Sequence, residues 1–301
     1  MSEGEPESAT SGLGAGGVTI ATIAAMVAFA ANSVLCRLAL IAPADGDPAI
    51  GPLAFAAVRI GGGALVLAPA LLAPRSGERE PASVSWLAVL ALFTYAAGFS
   101  LSYVTLEAGV GALLLFGLVQ ITMVGTGVLR GERMTAPRAV GMAAAALGVI
   151  LLVAPTGDAL ASSPPDPVGA LLMAIAGVAW GVYSLKGRGA ARPVRMTALN
   201  FAMCVPLAAL ALAFADRTWT TRGVALALTS GAITSGLGYA VWYTALRGHT
   251  RTSAAIVQLT VPVIAAVGGV IWLGEAITPR LVAASALVLG GVAVALVRGG
   301  R

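Results

Sequence analysis

Length, composition and charge place this chain of 301 residues in one broad class. Hydrophobic residues make up 58% of the sequence and charged residues only 10%, and the mean hydropathy is +0.92. These values exclude an ordinary soluble domain, in which about a quarter of the residues are charged. The net charge of +5 is assigned to basic loops facing anionic lipid, so no nucleic-acid partner is expected.

Ten apolar stretches predict ten membrane-spanning helices, because about 20 apolar residues cross the roughly 30 Å of bilayer hydrocarbon. They lie near residues 18–42, 52–73, 84–104, 109–129, 137–154, 168–186, 194–214, 222–245, 252–273 and 279–297. Unsatisfied peptide groups are costly in lipid, and these runs are too long for barrel strands, so the fold is predicted to be all-α and polytopic. Residues 1–17 are predicted to form a disordered cytoplasmic tail rather than a cleaved signal peptide.

One pattern occurs in both halves of the chain. Val-Gln-Ile-Thr at 119–122 precedes Gly-Glu-Arg-Met-Thr at 131–135, and Val-Gln-Leu-Thr at 257–260 precedes Gly-Glu-Ala-Ile-Thr at 274–278. Internal repeats in an apolar chain are typical of secondary transporters, whose binding sites lie between the repeats near mid-membrane. We therefore predict a first five-helix repeat over 18–154, a linker over 155–167 and a second repeat over 168–298. Five helices in each repeat give the two an inverted topology around a central cavity.

The distribution of Lys and Arg predicts the orientation. Most of these residues fall in cytoplasmic loops if the N-terminus is cytoplasmic, and the positive-inside rule then places both termini in the cytoplasm. Arginine far outnumbers lysine, whose only instance is Lys186, and Ala and Gly are abundant. These features indicate a bacterial protein of the cytoplasmic (inner) membrane.

Several motifs are spaced as in a known family. Tyr103-Val-Thr-Leu-Glu-Ala-Gly-Val-Gly-Ala joins the third and fourth stretches, Tyr243-Thr-Ala-Leu ends the eighth, and Leu273-Gly-Glu precedes the tenth. With these motifs the chain, from about residue 18, resembles the drug/metabolite transporter superfamily, in particular its EamA-type ten-helix exporters, which include exporters of aromatic amino acids. The resemblance implies a basket-like carrier with a central cavity. The first half lacks a match for Pro262, and Gln120 lies closer to Glu132 than Gln258 does to Glu275, so the fourth helix is expected to be shorter or differently tilted than the ninth.

The positions of the charged residues indicate which substrate charge the protein suits and whether transport is coupled to an ion. Every acidic residue falls in a tail, a loop or a helix end, so the intramembrane carboxylate on which proton-driven drug pumps depend is not found. The basic residues inside helices are Arg37 and Arg59, and both are predicted to snorkel or to pack between helices. The sequence thus gives no support for ion coupling.

Aromatic and amide side chains remain as the candidates for substrate recognition. They are predicted to bind substrate at Asn32, Tyr95, Phe99, Tyr103, Gln120, Trp180, Tyr183, Tyr239, Trp242, Tyr243 and Gln258. A cavity lined by such groups suits a bulky neutral or zwitterionic ligand, or a planar cation held by cation–π contacts. Core packing is the alternative role for the rings, and hydrogen bonding between helices is the alternative for the glutamines.

For several other residues the sequence predicts local structural roles. Pro206 and Pro262 fall inside helices and are candidate hinges, although a proline kink can also be static. Glu132 and Glu275 are predicted to accept hydrogen bonds at helix starts. Trp86, Trp219 and Trp272 are predicted to anchor helix ends at the lipid headgroups.

No cofactor or metal is expected from the sequence. His249 stands alone among the histidines, Cys36 and Cys204 fall in predicted helices, and no phosphate-binding loop of an ATP-driven pump is present. The expected partners are a small-molecule substrate and the lipid bilayer, and a monomer would suffice. The sequence therefore predicts a secondary transporter that exports aromatic or other hydrophobic amino acids. Efflux of aromatic cationic drugs and an intramembrane enzyme of lipid or quinone metabolism remain as alternatives.

Overall fold

The residues that the structure describes form ten helices. The structure, a computed structural model, describes residues 14–42, 48–72, 85–155, 163–187, 190, 192–215 and 218–297. The helices are α1 (Ala15–Leu40), α2 (Pro52–Leu72), α3 (Trp86–Ser102), α4 (Ala108–Leu129), α5 (Ala136–Val153), α6 (Pro167–Gly187), α7 (Pro193–Phe214), α8 (Thr221–Leu246), α9 (Arg251–Gln258 with Thr260–Leu273) and α10 (Pro279–Val297).

The described helices confirm the predicted all-α polytopic membrane fold. Nine of them are long and apolar enough to cross a membrane, and α3 is a shorter apolar helix. Residues 1–13 of the predicted tail lie outside the described residues, and α1 begins at Ala15, inside the predicted tail. We call the side of the bundle at Ala15 the near face and the side at Leu40, where α1 ends, the far face.

Local sequence explains where many helices begin. Proline needs no hydrogen-bond partner for its nitrogen and suits a first helical turn, and it is the first residue of α2, α6, α7 and α10. Ser85, Thr220 and Thr250 instead cap α3, α8 and α9 by accepting a backbone N–H three residues later. A proline also interrupts a helix, since α2 is broken at Ala68 immediately before Pro69.

Small residues allow α5 and α10 to pack closely. A Cβ added at Gly291 would lie 2.5 Å from the Gly141 carbonyl oxygen, and one added at Gly148 would lie 2.9 Å from the Ala284 carbonyl oxygen. Residue numbers rise along one helix as they fall along the other, so the two helices are antiparallel. Such close approach of backbones is how helices associate in lipid, where apolar surface gains little from meeting another helix.

Other equivalent helices of the two repeats also pack together. α4 lies against α9, and α2 lies against α7. A Cβ at Gly109 would come within 2.8 Å of Ala266 Cβ, and one at Gly269 within 3.4 Å of Ala108 Cβ, so α4 and α9 are antiparallel. Two five-helix repeats of inverted topology therefore interleave around the centre of the molecule.

The fourth and ninth helices differ in continuity. α4 is continuous over 22 residues and is about as long as the two pieces of α9 together, and a difference in tilt stays a prediction. The interruption is in α9, whose two pieces meet at Leu259. Pro262, three residues later, has no N–H to donate back to the preceding turn, which accounts for the break. Pro206 lies inside α7, whose α-helical part runs unbroken from Pro193 to Ala211.

The glycines of α10 provide a test of this packing. We expect Gly291→Ala to destabilise the protein by about 1–3 kcal/mol, because its methyl group would overlap the Gly141 backbone. Thermal unfolding of the purified protein in detergent measures the effect. Gly290→Ala is the matched control, since a Cβ there meets nothing within 4 Å. Equal unfolding midpoints for the two variants would contradict the close contact.

Candidate functional site

A central cavity of about 750 Å³ lies between the two repeats. Most of its lining side chains come from α1, α3, α4, α6, α8 and α9. Its inner end is formed by Asn32, Ser33 and Phe99, and its wall continues to Glu132, Arg138 and Arg247 at the near face. The cavity therefore opens at the near face. Its volume is within the range of about 300–1,000 Å³ that is usual for small-molecule sites.

All but one of the predicted substrate-binding residues line this cavity. The lining residues among them are Asn32, Tyr95, Phe99, Gln120, Trp180, Tyr183, Tyr239, Trp242, Tyr243 and Gln258. Tyr103 is the exception, because α3 ends at Ser102 and the tyrosine is completely buried in the following turn. The structure thus brings the predicted residues of both repeats to one site, while their contact with substrate remains a prediction.

The aromatic side chains form one continuous cluster around Trp180. The Trp180 ring centroid lies 4.6 Å from that of Tyr95, 5.1 Å from that of Tyr183 and 5.3 Å from that of Tyr239. The rings of Trp180 and Tyr239 are stacked. Phe29, which the sequence analysis did not select, extends the cluster at 5.5 Å from Tyr239. Trp180 of α6 therefore bridges the aromatic residues of α3 and those of α8.

Amide groups add polarity to the cavity wall. Gln120 is buried, and its Nε2 has no hydrogen-bond partner among the described residues. An unpaired buried amide donor costs free energy, so it is available to a ligand acceptor. Asn32 is held differently, since its Oδ1 accepts hydrogen bonds from the hydroxyls of Ser230 and Thr234.

A π-helical segment in α8 makes the Asn32 contacts possible. Residues Ser230–Leu237 are π-helical, and segments of this kind are frequent at functional sites. The wider turn aligns Ser230, Thr234 and Ser235 on one side, toward α1 and α2. The sequence analysis missed these hydroxyls. The run of Ser, Thr and Gly residues at 229–236 was the available signal.

Arg59 of α2 occupies an unusual environment near the inner end of the cavity. It is 2% exposed, so of the two roles predicted for it, snorkelling and packing between helices, the structure shows the second. Its Nη2 donates to the Tyr95 hydroxyl at 2.8 Å and its Nε to the Ser235 hydroxyl at 3.2 Å. Taking an ion out of water costs several kcal/mol, whereas a desolvated cation–π contact returns about 2 kcal/mol. These neutral partners therefore compensate the buried charge only in part.

The far face is closed by a set of contacts around Glu275. Its Oε1 pairs with Arg37 Nε at 3.3 Å, and its Oε2 accepts the backbone N–H of Ala108, the first residue of α4, at 2.8 Å. Arg37 Nη1 also donates to the carbonyl oxygens of Tyr103 and Val104, just after α3. Glu275 is thus a helix-start acceptor, as predicted, but the helix that it caps belongs to the other repeat. The contacts tie α1, the α3–α4 turn and the α9–α10 turn together.

Burial and the neighbouring polar groups change the pKa of Glu275 in opposite directions. Burial raises the pKa of its carboxyl group, although Ala108 and Arg37 favour the charged form. The docked carboxyl group therefore takes up a proton more readily than a hydrated one does. Protonation would remove its ion pair with Arg37.

The equivalent turn at the near face is not docked in this way. Gly131 and Gly274 both have positive φ angles, of 91° and 68°, so the two Gly-Glu turns share a left-handed glycine. Glu132, however, pairs with Arg138 at 2.7 Å, and its side chain is 49% exposed at the mouth of the cavity. The same motif therefore closes the far face and lies open at the near face.

The lone histidine joins helices near the mouth of the cavity. His249 Nε2 lies 2.8 Å from the Thr22 hydroxyl, and its Nδ1 lies 3.2 Å from the Ser253 hydroxyl. These contacts tie the α8–α9 turn to α1. Among the described residues, no group of three or more His, Cys, Asp or Glu side chains could hold a metal ion.

Helices of both repeats surround a ligand-sized cavity that opens at one face of the bundle. This arrangement is that of a multi-pass membrane transporter. Comparison with known proteins gives the family. Residues 167–297 match the EamA-like transporter family. An uncharacterized protein of Pseudomonas aeruginosa is 49% identical over 277 residues, covering 91% of this chain and 93% of that protein. The chain belongs to the EamA-like transporter family, within the drug/metabolite transporter superfamily.

More distant proteins agree with this assignment. An uncharacterized transporter of Archaeoglobus fulgidus is 24% identical over 253 residues, covering 81% of this chain and 88% of that protein. A protein of known crystal structure has a TM-score of 0.64 at 21% identity, covering 96% of this chain and all of that one (100%). At this identity the likeness shows the fold alone.

The contacts that close the far face can be tested by measuring whether a reagent added at that face reaches the cavity. In a background with Cys36→Ala and Cys204→Ala, Ser33→Cys places one thiol at the inner end of the cavity. We expect Glu275→Gln to increase labelling of this thiol from the far face about ten-fold, because the far face loses an ion pair that is largely buried. A membrane-impermeant thiol reagent added to either side of proteoliposomes measures the rate.

The control variant is Glu132→Gln, which changes the equivalent residue at the open face. Labelling from the far face should stay at the level of the parent protein in this variant. Unchanged far-face labelling in Glu275→Gln would show that other contacts close this side.

Proposed function

We propose that the protein is a secondary transporter that exports aromatic or other hydrophobic amino acids by alternating access. The observation that carries the proposal is the central cavity, which is open at one face and closed at the other. A ligand entering from the near face meets aromatic rings from α3, α6 and α8, with amide groups from α1, α4 and α9 between them. Rings favour a large apolar side chain, and amides fix the orientation of polar groups.

The orientation gives the proposed direction of transport. The excess of basic residues in the loops at the near face supports a cytoplasmic near face, with both termini on that side, under the positive-inside rule. In that orientation the described conformation is open to the cytoplasm and ready to load an export substrate. Docking of the Gly-Glu turn at Glu275 then keeps the external side shut.

The proposed transport is facilitative. The acidic residues that the structure describes are Glu107, Glu132, Asp166 and Glu275, and each lies outside the helices. A carrier that exchanges protons against substrate would be expected to place a carboxylate within the membrane. We therefore expect flux down the substrate gradient without an imposed pH gradient.

Efflux of aromatic cationic drugs is the alternative, and the rings of the cavity alone would permit it through cation–π contacts. The positive charge of Arg59 directly behind Tyr95 and Phe99 disfavours it, because like charges repel strongly where water is scarce. This environment supports a substrate without net positive charge.

Two aromatic residues test the proposal. We expect Trp180→Ala and Tyr239→Ala each to weaken phenylalanine transport about ten-fold or more, since each removes a ring from the centre of the cluster. The measurement is counterflow of radiolabelled phenylalanine and tryptophan in proteoliposomes, with and without a pH gradient. Trp272→Ala is the matched control, because that ring is 64% exposed on the outside of the bundle. Normal transport by both cavity variants, or no transport of either amino acid by the folded parent protein, would contradict the proposal.

A further inference from the structure

Among the described residues, Arg59 and Arg280 are each 2% exposed, and the Arg37 side chain is 15% exposed. Two of these three arginines have a carboxylate or helix-end carbonyls as partners. Arg37 pairs with Glu275. Arg280 donates to the carbonyl oxygens of Leu151 and Ala154, at the end of α5 where the helix dipole is negative. Both arginines thus stabilise helix ends and turns at the far face.

Arg59 differs from the other two in its partners. The groups around its guanidinium are hydroxyls and rings, and its Nη1 has no hydrogen-bond partner among the described residues. None of the acidic residues in the described part of the chain forms an ion pair with it. An ionisable residue inside the membrane is costly, and such residues commonly mark the path of a substrate.

Arg59 also lies directly behind the wall of the cavity. Its Cζ is 5.1 Å from the ring centroid of Tyr95 and 4.7 Å from that of Phe99, and both rings line the cavity. The Tyr95 hydroxyl accepts a hydrogen bond from Arg59, so a polar link joins the charge to the wall. Asn32, another lining residue, is anchored to the same π-helical segment of α8 that supplies Ser235 to Arg59.

We propose that Arg59 makes the inner end of the cavity a subsite for the carboxylate of the substrate. This inference rests on the proposed function and defines its substrate as one with a carboxylate at one end and a large apolar group at the other. The carboxylate lies at the end formed by Asn32 and Tyr95, where it supplies the missing negative charge. The apolar group then lies toward Trp180 and Tyr239, nearer the open face.

The chemistry of the subsite favours a carboxylate over a phosphate. One arginine supplies a single positive charge, which balances one carboxylate but leaves a phosphate group, with a charge of about −1.5 to −2 at pH 7, partly uncompensated. The charge of Arg59 acts on the inner end of the cavity through the rings of Tyr95 and Phe99, because an electrostatic field is weakly screened among apolar groups. A ligand with only an ammonium group is repelled by the same field.

The test compares two ligands that differ in the charge of one end. 3-Phenylpropionate and phenethylamine share a phenyl ring and a short chain, but one ends in a carboxylate and the other in an ammonium group. We expect 3-phenylpropionate to compete with phenylalanine in counterflow at least about ten-fold more strongly than phenethylamine. Arg59→Gln should bring this ratio close to one, and Tyr95→Phe should lower it.

Two further variants separate charge from folding. Arg59→Lys keeps the positive charge and should retain most of the preference. Arg280→Gln is the matched control, since Arg280 is also 2% exposed but lies at the end of α5, away from the cavity wall. It should leave the preference unchanged in protein that remains folded by size-exclusion chromatography and thermal unfolding.

The outcomes distinguish this inference from the proposed function. Equal or stronger competition by phenethylamine in the parent protein, or a ratio that survives Arg59→Gln, overturns the carboxylate subsite even if phenylalanine is transported. Absence of phenylalanine transport contradicts the proposed function instead. In that case, thermal stabilisation of the purified protein by the same two ligands decides the subsite, and only selective stabilisation by 3-phenylpropionate supports it.

Discussion

A polar group in bilayer hydrocarbon has no water to bond with, and this constraint shapes each part of the structure. It requires helices throughout the membrane, and it leaves the helix ends to be satisfied by other segments. The far face meets that requirement with charged side chains from elsewhere in the chain. Glu275 caps the start of α4, Arg37 binds the carbonyls after α3, and Arg280 binds those at the end of α5. The same contacts thus close the far face and satisfy the backbone hydrogen-bonding groups at the helix ends.

The two repeats have the same turn but use it differently. Left-handed glycines at Gly131 and Gly274 direct the following glutamates back toward the preceding helices, since the N–H groups of Glu132 and Glu275 donate to Gly127 and Gly269. Only Glu275 goes on to cap a helix of the other repeat. The resulting asymmetry gives the cavity a single mouth, which a pair of identically docked turns would close.

Much of this architecture was predictable because its causes are local in sequence. Apolar length predicts the helices, and the repeated Gly-Glu motif predicts two units. Helical spacing places Tyr95 and Phe99 on one side of α3. The same spacing fails at Tyr103, where the helix has already ended. The sequence left two roles open for Arg59, snorkelling and packing between helices, because its partners Tyr95 and Ser235 are distant in sequence and Ser235 lies in a π-helical turn of α8. Packing against α3 and α8 keeps it inside.

The caps at the far face also bear on how the protein is made. Ala108 and the carbonyls at the end of α5 belong to the first half of the chain, yet their partners are residues 275 and 280. A ribosome synthesises those partners last, so the first five helices enter the membrane with these groups unsatisfied by their final contacts. The far face therefore acquires its full set of contacts only after residues 275 and 280 have been synthesised.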